Sequence, residues 1–145
     1  MSRLTVVIVS AVMVIGVVFI FSSDSLAQVK KGKSRPLTTK QWMAAVHKVH
    51  CGALKKALDA GPKDDDAWAA VSLHAAMLNE SSYVLMADGR CPDGTWAKAA
   101  SKMLRGGSDG VVKAAAAKDL DAAKASFKTL TQSCGTCHKA HKPKK

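Results

Sequence analysis

Two thiols three positions apart, followed at once by an imidazole, stand at Cys134-Gly135-Thr136-Cys137-His138. This C-x-x-C-H spacing is the form in which a c-type haem is attached covalently. The two thiols reach the two vinyl groups on one edge of a porphyrin and close thioethers. The next residue is then held under the ring with an imidazole nitrogen free for iron. Cys134 and Cys137 are therefore the candidate attachment residues for one haem c, and His138 is the candidate proximal ligand. Gly135 and Thr136 are small and let a ring edge approach the backbone. Other uses of the pair fit less well. A zinc site needs further ligands at a usual spacing, and no second C-x-x-C or H-x-x-x-H pair accompanies it. A redox dithiol of the thioredoxin kind sits on a βαβ framework, and a disulfide clip inside a helix has awkward geometry.

Residues of this kind need elements to hold them, and the pattern after residue 38 is helical. Alanine, lysine and leucine dominate there, and β-branched and aromatic residues are few. The first segment runs from a cap at Thr38 or Thr39 to Gly61-Pro62. Its stripe is Trp42, Val46, Val49, Ala53 and Ala57, with Met43, His50, Leu54 and Leu58 beside it. The second runs from about Asp64 to Ala87 on Trp68, Val71, Ala75, Leu78 and Leu85, with carboxylates in its first turn. The third is capped by Asp93 or Thr95 and carries Trp96, Ala99 and Met103. Gly106, Gly107 and Gly110 cost roughly 1 kcal/mol each inside a helix, which predicts a break or kink there and a short helix over 111–118. The fourth, from a cap at Asp119 to about Ala140, has the seam Leu120, Ala123, Phe127, Leu130, Cys134, Cys137. The cysteines thus continue a core stripe, and whatever they hold lies against the inside of the molecule. Amphipathic helices joined by short turns predict an all-α fold, an antiparallel up-down-up-down four-helix bundle over 38–145 with the haem-attachment motif at its C-terminal end.

The N-terminal region belongs to a different class. Arg3, an apolar run from Leu4 to Phe21, and Ser25-Leu26-Ala27 read as a secretory signal peptide over 1–27. The alternative is an uncleaved anchor, since 18 apolar residues just suffice to span a bilayer. Lys30, Lys31, Lys33 and Arg35 put more positive charge after the run than before it, which disfavours an anchor with a cytoplasmic N-terminus. Either way the expected location is periplasmic, with membrane contact only if 4–21 is retained. Residues 28–37 read as a basic linker. The formal charge is +11, and loss of Arg3 with Asp24 leaves it unchanged. Such a charge favours acidic protein faces or anionic surfaces. No nucleic-acid motif is present.

A helical bundle with one C-x-x-C-H near its C-terminus resembles the class II c-type cytochromes, the cytochrome c′ and cytochrome c556 group, over about residues 38–142. Family members usually continue the motif as x-x-(Tyr/Phe)-(Arg/Lys). Lys142 fits that pattern, and His141 stands where the aromatic is usual. "HCGALKKAL" at 50–58 is similar to a first-helix pattern of the family, with Cys51 where Phe is common. The resemblance implies that the first helix supplies the sixth iron position. A methionine there gives a low-spin electron carrier, and an apolar residue gives five-coordinate iron that takes NO or CO. Met43 is the first choice for this distal ligand and His47 the alternative, one turn apart on one side of the helix; His50 lies a turn beyond. His74 reads as a surface or partner-facing residue. Cys51 and Cys91 are two further thiols in an oxidising compartment, either bridged or unpaired, and straight helices would keep them apart. The expected function is single-electron transport by a monohaem cytochrome that docks on acidic redox partners, without enzymatic activity. The alternative is a gas-binding cytochrome c′-like protein, and a haem-free helical interaction module is a third class. Homodimers are frequent in the family.

Overall fold

A computed structural model describes residues 33–142. The expected signal or anchor segment, and the linker up to residue 32, lie outside the described residues. Among those described, no helix is long and apolar enough to cross a membrane. The chain there is all-helical and forms four helices. α1 is continuous through the segments Thr39–Trp42, Met43–His47 and Lys48–Ala60, the middle one a π-helical turn. α2 spans Asp65–Met86. α3 runs through Gly94–Ala97, a π-helical stretch Lys98–Leu104, and Arg105–Ala116. α4 spans Leu120–His141.

Each start is set by a side chain that accepts an otherwise orphaned amide. Thr38 accepts from the Gln41 N–H while the Gln41 side chain accepts from the Thr38 N–H at 2.8 Å, a closed capping box. Asp64, Asp93 and Asp119 cap α2, α3 and α4 in the same way, accepting from Ala67, Trp96 and Ala122. Between α2 and α3 the chain turns on Asp88 and Gly89, both at positive φ. That turn also receives the end of the linker. The Asp88 carboxylate accepts from the Ser34 and Arg35 amides at 2.9 and 3.0 Å, and buried Arg90 donates to the Leu37 carbonyl at 2.8 Å.

The predicted core of α2 is buried as expected: Trp68, Val71, Ala75, Leu78 and Leu85. The α1 stripe is kept only in part: Val46 is buried and Trp42 and Ala57 pack against the core, but Val49 is 55% exposed, and Thr39, Met43, His47, Cys51, Leu54 and Leu58 also face inward. A π turn adds one residue to the helix, so every later side chain lags the regular period. The stripe therefore rotates toward the residues expected to lie beside it.

The predicted break at Gly106–Gly110 is also absent. α3 passes through it unbroken, because two of the glycines serve helix packing. A Cβ on Gly107 would stand 2.6 Å from the Leu130 amide nitrogen of α4, and one on Gly110 would stand 2.6 Å from Ser126 Oγ. The tight α3–α4 approach offsets the helix-propensity cost. The α1–α4 contact, by contrast, is sparse.

Candidate functional site

A cavity of about 420 Å³ lies between α1 and α4. That is the size range of sites for cofactors and drug-sized ligands, roughly 300–1,000 Å³. Both π segments form its wall: Met43, Ala44 and His47 from the first, Ala99, Ala100 and Leu104 from the second. Such turns re-aim side chains out of the regular helical period and recur at functional sites. Leu78, Leu85, Trp96 and Leu130 supply apolar surface. α4 contributes Cys134, Cys137 and His138. Exposed Lys40, Lys48 and Lys142 border it.

The structure thus brings together every residue singled out for the site. Cys134, Cys137 and His138 line the cavity from one helix, and Met43 and His47 line it from another. Cys51 joins them as a third thiol. It forms no bridge: Cys51 and Cys91 are both free thiols, and Cys91 Sγ donates to the Asp93 carbonyl at 3.4 Å. His50 is not part of the cavity. It faces α2, where its Nδ1 lies 3.0 Å from Nδ1 of His74. His74 is accordingly half-buried and paired within the chain, where a surface or partner-facing position was expected.

His47, for which a solvated position is the usual one, is 8% exposed. Its Nε2 is 2.6 Å from Ser81 Oγ, which also accepts from Trp42 Nε1 at 2.6 Å. Burial, then the nearby His138 and His50, hold its pKa down to about 4. The ring is neutral at physiological pH, and Nε2 is engaged in either tautomer. His138 is also pushed below its ordinary value, by partial burial and then by Lys142. It therefore presents a neutral imidazole, the form that binds metal.

The thiols move the other way. Burial, then Cys134 and Asp93, push Cys137 up to about 11. Burial raises Cys134, and burial followed by Cys134 raises Cys51. Redox-active dithiols have depressed pKa values that keep a thiolate ready. All three thiols here are protonated at neutral pH, which argues against a thioredoxin-like use. Among the described residues no group of three or more His, Cys, Asp or Glu converges as a metal cage either. Two half-buried thiols and an adjacent imidazole on an apolar wall do suit a flat macrocycle tethered at its edge.

His141 packs as an aromatic side chain would. It is buried and packs edge-on to Trp96 with ring centroids 5.3 Å apart, and its Nε2 is 3.4 Å from Asp93 Oδ1. Sequence reasoning did not single out Ser81, Trp96 in its cavity role, or the π turns. Ser81 breaks no pattern on α2, and only the tertiary packing reveals its bond to His47. Comparison of the chain with family models, with curated proteins and with solved structures gives no match.

Proposed function

We propose that the chain is a monohaem c-type cytochrome of the class II kind, an antiparallel up-down-up-down four-helix bundle that carries single electrons outside the cytoplasm. The observation that supports this best is the joint placement of Cys134, Cys137 and His138 with Met43 on the wall of one apolar cavity. A bound haem c supplies an iron that alternates between ferrous and ferric states. The chain's own residues do the rest. The two thiols hold the macrocycle edge as thioethers, which need no thiolate at rest. Neutral His138 is the proximal ligand. Met43 is the distal ligand of choice, because its thioether is a soft donor that favours ferrous iron and a raised potential. His47 is the weaker candidate, since ligation through Nε2 requires breaking its Ser81 bond. The lysines at the border offer positive charge to an acidic redox partner.

A second reading has its own support. Small side chains at Ala44, Ala99 and Ala100 in the same cavity as Met43 would leave room for NO or CO if Met43 stayed off the iron. Visible spectroscopy of matured protein separates the two. A low-spin oxidised spectrum with the weak sulfur-to-iron band supports the carrier. A high-spin spectrum with ready CO binding supports the gas-binding protein. If acidified acetone extracts the haem freely, covalent attachment is wrong.

A further inference from the structure

His50 on α1 and His74 on α2 have no part in the cavity, yet they meet. Their Nδ1 atoms are 3.0 Å apart, the ring centroids 5.3 Å apart, and the ring planes inclined by 51°. Both rings are half-buried and keep an edge in solvent. We propose that this pair is a binding site for a divalent transition cation of the zinc, nickel or copper class, held by His50 and His74 with water completing its coordination.

The geometry fits such an ion. Imidazole nitrogens bind zinc at about 2.0–2.1 Å, so two of them on one ion, between right-angle and tetrahedral, stand about 2.9–3.4 Å apart. The observed separation lies in that window. The same 3.0 Å also fits an N–H···N hydrogen bond, and a modest rotation of each ring turns the two facing nitrogens toward a shared point beside it. The donors come from two packed helices, so their spacing is fixed before an ion arrives. Imidazole suits zinc, copper and nickel and is a poor match for magnesium or calcium. His74 is held below its ordinary pKa by burial and then by His50, which keeps its nitrogen available at neutral pH. No third His, Cys, Asp or Glu converges on a common point with them among the described residues. The site is therefore open and exchangeable rather than a closed structural one, with affinity in the micromolar class. An ion there would tie α1 to α2 three residues after His47. The proposal does not depend on the haem reading.

Zinc titration of the full-length chain tests it, by calorimetry and by long-range proton–nitrogen NMR of the imidazoles. One equivalent should bind, with the His50 and His74 ring nitrogens shifting together. His50→Gln and His74→Gln should each weaken binding at least about tenfold while far-UV circular dichroism stays unchanged. Cys51→Ser with Cys91→Ser should leave the affinity as it is, which separates this site from the spare thiols. The proposal is overturned if both Gln variants bind as wild type does, if binding disappears only with the cysteines, or if folded wild type takes up no zinc at micromolar concentration. Should either Gln variant misfold, the imidazole resonances of wild type decide alone.

Discussion

Met43 and His47 lie one turn apart on α1 and line the same cavity, but their donor atoms are not equally placed. His47 already engages Nε2 with Ser81, within a chain that starts at the Trp42 indole. Met43→Ala should therefore abolish the sulfur-to-iron band, shift iron toward high spin, open the site to CO and lower the reduction potential. The fold should survive, at a cost of about 2–5 kcal/mol for a half-buried methionine at most. If His47→Ala instead destroys the low-spin spectrum while Met43→Ala spares it, the iron is bis-histidine. His47 also carries a pH dependence. Its folded pKa of about 4 lies below the ordinary 6.5, so the folded state excludes a proton that the unfolded chain accepts. Its contribution is intact above pH 6.5 and is lost as pH falls toward 4, a total of roughly 3 kcal/mol. Urea unfolding at pH 7 and pH 4 should show this loss, and His47→Gln should flatten it. An equal slope in that variant would assign the acid sensitivity elsewhere.

At the scale of helices, the glycines of α3 divide into two kinds. Gly107 lies against the α4 backbone with no room for a methyl group. Gly107→Ala must push the helices apart and should cost about 1–3 kcal/mol. A Cβ on Gly106 meets nothing within 4 Å. Gly106→Ala should stabilise by about 0.4–1 kcal/mol, since the helix keeps its geometry and the unfolded chain loses freedom. Thermal melts of the two variants should move in opposite directions. Equal shifts would mean that the α3–α4 approach is looser than described. The π turns act at the same scale. Without the one at Met43–His47, the regular period would carry the α1 side chains that follow it to different directions.

For the molecule as a whole, the cavity between α1 and α4 sits where a bundle would otherwise have continuous packing. A group bound there only by the native state adds its binding free energy to stability. Haem-loaded protein should therefore melt well above the haem-free chain, and the haem-free chain should lose helicity. Coincident melting curves would count against a cofactor that fills this space. Cys134→Ala should leave at most one thioether, and Cys134→Ala with Cys137→Ala none, as acidified-acetone extraction would show. The net charge of +11 belongs to this scale too. Electron transfer to an acidic partner should slow as ionic strength rises and the charges are screened over about 10 Å at 0.1 M.

Several features were legible in the sequence because short-range chemistry alone determines them. The start near Asp64, the Asp119 cap and the Asp93 cap (one of two candidates) each depend on one side chain and one amide three residues away. The α2 stripe depends on an unbroken 3.6 period, and the C-x-x-C-H grouping on local spacing. Other features belong to the tertiary structure. The glycines of α3 read as a break because propensity carries no information about a neighbouring helix, and only the approach of Leu130 and Ser126 shows why they remain helical. Val49 lost its inward place to a π turn that has no propensity signature. His47 became buried and His74 became half-buried and paired through contacts 34 and 24 residues away in the chain. Which thiols share a cavity and which imidazole keeps a nitrogen free were decided in the same way. Those outcomes depend on which helix faces meet, and that is an energy summed over the whole core rather than over any one segment.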